Sequence, residues 1–320
     1  MSRRSIAGAV LVAVTLTFAG SGSAQAQLSD TGSFLATLDN AYQIVPNVTY
    51  HVASGVENKL DLYVPKNATG STPVVLMIHG GGWVGGLKET YVMRLLPYLE
   101  KGFAVVNVEY RMAEVALAPA AVEDCLCSLR WIARNAEQYN LDASRVVVTG
   151  MSAGGHLALT TGMIPSSAGL DRQCAERAFS GPRGADPASV VAIVNWYGIT
   201  DVVDLLDGPN TKGYAVEWLG SLPNREEVAT RVSPLTYVRR DLPPILTIHG
   251  DADPIVPYEH AERLTAKLDG AGVANQLHTV PGGGHGRFSD SETIEIYETI
   301  FSFLARHGLG GSGSTSQQQD

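Results

Sequence analysis

Apolar positions along this chain fall into short runs that end at glycine or proline, most of them followed by stretches with helical spacing. VTYHV and NKLDLYVP, with a turn between them, read as two short strands. PVVLMIHG at 73–80 is a stronger, continuous apolar strand that ends in GGGWVGG. The next segment, YVMRLLPYLEKG, has the spacing of a helix that stops at Gly102. FAVVNVEYR predicts another strand, and a long helix is expected over Pro119 to Gln138, ahead of the turn residues NLDASR. Pro119 suits a first helical turn, where a missing amide loses no partner. RVVVTG and the segment after Ser152 repeat the strand-then-helix order. VAIVNWYG at 191–198 and PPILTIHG at 243–250 add two buried strands. AERLTAKLDGAG, ANQLHTVPG and ETIEIYETIFSFLARHG then read as helix, strand and helix.

Continuous apolar strands alternating with helices predict an α/β fold, a mostly parallel sheet covered on both faces. Two segments break the rhythm. Residues 165–187 are rich in small and turn-forming types, and 201–242 hold short helical pieces; both are expected to form a small partial cap over the strand ends. The closing GLGGSGSTSQQQD has no periodic apolar face, so 309–320 are expected to be a flexible tail behind a main domain at 27–308.

At the other end, Arg3 and Arg4 precede the apolar run Ile6 to Ala19, and Ala24-Gln25-Ala26 supplies small residues at cleavage positions. This arrangement predicts a signal peptide over 1–26 and a secreted or periplasmic protein. The run is short for a bilayer crossing, and no later run resembles one, so no stable membrane anchor is expected. With 320 residues, 45% of them hydrophobic, the chain has material for a large core. A net charge of -9 argues against nucleic acid or anionic membrane as the main partner. Cys125, Cys127 and Cys174 are the three cysteines, which leaves at least one unpaired within a monomer. A bridge from either Cys125 or Cys127 to Cys174 is compatible with the spacing.

GMSAGG places Ser152 between glycines where a strand ends and a helix begins. A serine on such a sharp corner stands clear of the sheet, and the helix start offers free amides to a developing negative charge. The plain alternative is a helix-capping serine. HGGGW at His79 to Trp83 favours the first reading, because three successive glycines expose backbone amides as an oxyanion hole requires. A serine nucleophile needs a base and an acid that orients it. His285 in PGGGHG, on a late loop after a strand, is the best placed of eight histidines. His79 reads as a brace for the glycine loop, and His156 shares a helix with Ser152 in a poor position for attack on its proton. His249 is suited to ordering the acid loop, while His51, His260, His278 and His307 read as surface or packing residues. HGDADPIVP offers Asp251 and Asp253 as the acid, and spacing does not choose between them. Glu123 and Asp124 lie on the long helix, where capping or salt-bridge roles are expected.

Taken in order, IHGGGWVGG, VVNVEYR, AAVEDCLCSLRWI, DASRVVVTGMSAGGHLA, ILTIHGDADPIVP and GGGHG give a specific resemblance over about residues 60 to 306. The chain resembles the α/β-hydrolase esterases of the carboxylesterase and hormone-sensitive-lipase-like group, and within it the bacterial feruloyl and acetylxylan esterase (BD-FAE-like) type. That resemblance implies the α/β-hydrolase fold and the acid motif HGxxDxxVP, which selects Asp253. It also implies His285 as base, Ser152 as nucleophile, and the amides of Gly81, Gly82 and Ala153 as the oxyanion hole. YRMAEVALAPAAVEDC departs from the fuller YRLAPE and FPA pattern of many lipase-like relatives, and no long N-terminal helical cap is evident.

The expected chemistry is two-step acyl transfer on a small-molecule or polysaccharide-linked ester, short-chain or feruloyl, with acetylxylan as an alternative. No cofactor and no metal are expected, since neither HExxH nor a dinucleotide glycine pattern occurs at the opening strand. Trp83, Trp196 and Tyr197 either line the acyl pocket or pack beneath it. A peptidase or amidase using the same triad, and a noncatalytic binding protein on this scaffold, are the competing classes; the retention of all three triad residues argues against the latter.

Overall fold

A computed structural model describes residues 28–174, 188–221 and 223–309. The expected signal segment 1–26, most of the cap segment 165–187 and the tail from residue 310 lie outside the described residues. The chain divides into two compact units, Met1–Thr37 and Leu38–Asp320. In the first, Ser29 Oγ accepts the Gly32 amide at 3.1 Å where helix α1 (Asp30–Ala41) begins. The periodicity above does not predict α1, whose opening DTGS is made of turn-forming residues.

Among the described residues, eight strands build the second unit: β1 (Tyr42–Ala53), β2 (Val56–Pro65), β3 (Thr72–Ile78), β4 (Ala104–Val108), β5 (Leu141–Met151), β6 (Val190–Trp196), β7 (Ile245–Gly250) and β8 (Asn275–Val280). They form one sheet in the order β1-β2-β4-β3-β5-β6-β7-β8. β1 pairs with β2 and β2 with β4 antiparallel, and the six strands from β4 to β8 run parallel. The α-helices described in this unit are α2 (Leu96–Glu100), α3 (Ala120–Tyr139), α4 (Ala153–Met163), α5 (Gly213–Leu219), α6 (Arg225–Val232), α7 (Glu259–Ala271) and α8 (Asp290–Arg306).

Alternation along β6 shows why its apolar run is continuous. Asn195 faces α4, where a Cβ on Gly155 would stand 2.7 Å from its Oδ1. The next residue, Trp196, faces α8, its ring 5.6 Å from that of Tyr297. Successive side chains of a strand point to opposite faces, so helices cover both sides and both must be apolar. This is the α/β-hydrolase architecture.

Local differences from the sequence expectation have simple causes. The helix expected over YVMRLLPYLEKG is a 3-10 segment, Lys88–Leu95, followed by the short α2, because Pro97 has no amide with which to extend one hydrogen-bond ladder. NLDASR does not wholly leave the sheet. Leu141 and Asp142 pair with Thr72 and Pro73 before the register breaks, and the Asp142 carboxylate accepts the Ser144 amide at 3.0 Å and Arg145 Nε at 2.6 Å. The long helix α3 starts one residue after Pro119. On it, the Asp124 carboxylate accepts from Arg111 Nη2 at 2.7 Å and from the Arg111 amide at 2.8 Å, a buried ion pair of the kind expected for this helix.

Cys127 is the partner of Cys174, and Cys125 is free and buried. The bridge ties α3 to the segment after α4 and closes a sequence separation of 47 residues. Removing it as Cys127→Ala/Cys174→Ala should lower unfolding stability by about 2–4 kcal/mol. A denaturant midpoint unchanged from wild type would contradict that role.

Candidate active site

β5 ends at Met151, and the chain turns into α4 through Ser152, whose φ of 57° and ψ of -120° are strained for a residue with a side chain. Neighbouring glycines make the turn possible. A Cβ on Gly154 would stand 2.5 Å from His79 O, and one on Gly150 would stand 2.6 Å from Ile78 O, so the corner sits directly against the end of β3. The Ser152 side chain makes no capping hydrogen bond to α4, so the capping alternative is not realised. Its amide donates to Trp196 O at 2.9 Å.

The HGGGW loop lies beside this corner. A Cβ on Gly80 would meet Ser152 Cβ at 3.4 Å and Tyr91 Oη at 3.1 Å. Gly81 and Gly82 have φ of 125° and 62°, and their amides make no hydrogen bond among the described residues. Gly82 also underlies α5, for a Cβ there would stand 2.9 Å from Tyr214 Cβ. Ala153 is the first residue of α4, where an amide has no intrahelical acceptor. His79 braces the loop as expected: its ring stacks on Tyr110 at 4.4 Å and its Nδ1–H donates to Gly80 O at 2.8 Å.

β6, β7 and β8 follow β5 across the sheet, so the residues after their C-terminal ends gather beside Ser152. His285 Nδ1–H donates to Asp253 Oδ2 at 2.7 Å. Asp253 Oδ1 accepts the amides of Ile255 at 2.8 Å and Val256 at 3.0 Å. The Asp253 side chain is fully buried, while that of His285 is 20% exposed. Burial raises the Asp253 pKa, but hydrogen bonds from His249 and His285, the His285 charge and the Ile255 amide outweigh it. The carboxyl is therefore held below the usual carboxylate range. Asp251 does something else: its exposed carboxylate accepts the Gly282 amide at 2.6 Å and ties the loop after β7 to the loop before His285.

Ser152 and His285 are linked through neighbours. Trp196 O accepts the Ser152 amide, and the ring of Tyr197 packs edge-on to His285 at 4.7 Å. No hydrogen bond joins Ser152 Oγ to His285 among the described residues, whereas the Asp253–His285 bond is formed. Such contacts commonly tighten only when substrate is bound.

Burial places the three candidate pocket aromatics under the surface. Trp83 stacks on Trp218 at 4.1 Å, and its Nε1–H donates to His156 Nδ1 at 3.2 Å. His156 Nε2–H in turn donates to Val232 O at 2.8 Å, so this ring is engaged in packing. Trp196 carries the Arg94 guanidinium at 5.3 Å above its ring. Tyr197 is also buried, and its ring packs edge-on to His285. Tyr91 and Tyr214, which flank the glycine loop, have no spacing signal that would single them out.

Burial pushes His156 down to about 3 and both His79 and His260 down to about 4. These imidazoles are neutral in the folded protein and take up protons first when it unfolds. Their contribution to stability is present above the unfolded value, about 6.5. It is lost as pH falls from there through the folded values. Melting temperature should fall steadily on acidification below about pH 6.5; a flat profile down to about pH 4 would contradict this burial.

Among the described residues no group of three or more His, Cys, Asp or Glu side chains is gathered to hold a metal ion. No helix among them is long and apolar enough to cross a membrane.

Sheet order, strand-to-helix corner and glycine loop together define an α/β-hydrolase. Comparison with known proteins narrows this. Residues 60–268 match the family model BD-FAE, more than half of the chain, and the protein belongs to that family of α/β-hydrolase esterases. It is 27% identical over 262 residues to Esterase LipQ of Mycobacterium tuberculosis, a match covering 78% of this chain and 59% of that protein. Esterase LipC of the same organism is 28% identical over 236 residues, covering 71% of this chain and 56% of the relative. The chain thus spans a little over half the length of these curated relatives. Among solved structures, a truncated form of carbohydrate esterase from gut microbiota is 28% identical with a TM-score of 0.67, covering 84% of this chain and 98% of that one. Esterase Est2 of Thermogutta terrifontis with propionate bound is 22% identical with a TM-score of 0.69 over 86% of this chain and 97% of that one, and shares the fold.

Proposed function

We propose that this protein is a serine carboxylic ester hydrolase that releases short-chain or hydroxycinnamoyl groups from esters of a carbohydrate. The observation that carries the reading is the His285–Asp253 hydrogen bond at the strand ends beside the Ser152 corner. Ser152 Oγ attacks the ester carbonyl while His285 Nε2 takes its proton, and a tetrahedral oxyanion forms. The amides of Gly81, Gly82 and Ala153 donate to that oxygen. The intermediate collapses with protonation of the leaving alcohol by His285, leaving an acyl-Ser152 ester. Water, deprotonated by His285, then attacks this ester; the acid is released and the serine proton restored. Asp253 keeps the His285 proton on Nδ1 and stabilises the imidazolium in both halves.

Similarity to a carbohydrate esterase supports a sugar hydroxyl on the alcohol side. The basic, apolar and small-residue pattern of 1–26 supports export, which suits a polymeric substrate outside the cytoplasm. A rate panel of short and long p-nitrophenyl esters, methyl ferulate, acetylated xylan and a matched amide tests the reading. Turnover of ferulate or acetylated xylan above the simple esters is the expected result. Hydrolysis of the simple esters alone would remove the carbohydrate assignment, and preference for the amide would remove the esterase.

A further inference from the structure

We infer that His249 is a positioning residue for the acid–base pair and acts through Asp253, an inference that rests on the roles proposed above for Asp253 and His285. His249 lies near the end of β7 and is wholly buried, four residues before the acid. Its Nε2–H donates to Val256 O at 3.0 Å and stands 3.3 Å from Asp253 Oδ2. The acid is thus enclosed on every side. Oδ1 takes two backbone amides of its own turn, and Oδ2 faces two imidazoles, His285 on one side and His249 on the other.

The two imidazoles differ in how firmly they are held. His285 sits on a partly exposed loop, whereas His249 belongs to β7, paired on both sides by β6 and β8, and packs edge-on to Tyr258 at 5.6 Å. The rigid ring is therefore the one that can fix where Oδ2 points. Its second contact, to Val256 O, closes the same turn whose amides hold Oδ1. One N–H thereby secures both the turn and the carboxylate it carries.

The other ring nitrogen supports this reading. His249 Nδ1 is buried and has no hydrogen-bond partner among the described residues. The acceptors lie at Nε2, so the ring proton belongs there. An unpaired buried polar atom is unfavourable; on the same strand Ile245, Leu246 and Ile248 are apolar, and the one polar neighbour, Thr247, is paired, its hydroxyl accepting from Asn195 Nδ2. Packing alone would be served better by another apolar side chain. What an imidazole adds at this position is the Nε2–H aimed at Asp253 and Val256.

The test is a double-mutant cycle on purified full-length protein with p-nitrophenyl acetate. His249→Leu should lower kcat on the order of 10- to 100-fold with KM little changed, as a misplaced catalytic group does. His249→Gln, whose side-chain amide reaches toward the place of Nε2, should recover most of that loss, while the shorter His249→Asn should not. In an Asp253→Asn background, His249→Leu should have no further effect. Equal losses in both backgrounds, or Gln and Asn variants equally impaired, would overturn the inference and leave the triad reading intact. Near-wild-type turnover by Asp253→Asn alone would remove the acid assignment, and the inference with it. Should His249→Leu not fold, the comparison of Gln with Asn still decides.

Discussion

Ser152→Ala is expected to reduce kcat on p-nitrophenyl acetate by about six powers of ten and to leave the fold intact. The size of the loss follows from the proposed role of Ser152 as the attacking group in acyl transfer, without which only binding and oxyanion stabilisation by the proposed amides would assist water. The preserved fold follows from the structure. The Ser152 side chain does not cap α4, and the residue's structural bond runs from its amide to Trp196 O, which alanine retains. The strained φ of 57° is imposed by the corner and its glycine neighbours, and alanine meets it with a Cβ in the same place. Unfolding free energy should therefore change by no more than about 0.5 kcal/mol. Kinetics under single-turnover conditions and a denaturant titration on the same preparation check both halves. A well-folded variant with near-normal turnover would remove Ser152 from the mechanism.

Much of the site's architecture is legible in the sequence because each part couples a strand end to a local backbone demand. GMSAGG announces a tight corner: small residues are needed where Ile78 O and His79 O approach, and glycine marks those positions. HGGGW is legible for a similar reason, with positive φ at Gly81 and Gly82. Contacts made by side chains from distant parts of the chain are not encoded this way. Nothing in the spacing of HGDADPIVP separates Asp251 from Asp253; the family resemblance points to Asp253, and the contrast in their partners appears only when β7 and β8 are aligned. Likewise, two cysteines two apart on α3 give no basis for choosing which meets Cys174, since this depends on the face α3 turns toward the segment after α4. Trp83 followed the glycine loop closely enough to suggest a pocket wall, yet α5 brings Trp218 onto its ring from far along the chain.

The contrast between the two aspartates gives the second large expected effect. Asp253→Asn should lower kcat on the order of 10⁴-fold, and Asp251→Asn by less than about tenfold. At position 253, an amide that keeps Oδ1 toward the Ile255 and Val256 amides turns its NH₂ toward His285 Nδ1 and His249 Nε2. Two donors then oppose each other at His285, which favours the tautomer with its proton on Nε2, the nitrogen that in the proposed mechanism accepts one from Ser152. At position 251, asparagine keeps the oxygen that accepts the Gly282 amide, so the loop tie survives. Acid titration distinguishes the two sites as well. Because the Asp253 carboxyl lies below its ordinary range, its ionisation supports the folded state fully above the unfolded value, about 3.9, and that support is lost as pH falls through the lower folded value. The stability difference between wild type and Asp253→Asn should accordingly be constant above about pH 5 and shrink in stronger acid. A reversed order of the two kinetic losses would move the acid role to Asp251. A difference that grows in acid would mean that the buried carboxyl at 253 is protonated in the native protein, which is incompatible with its holding an imidazolium.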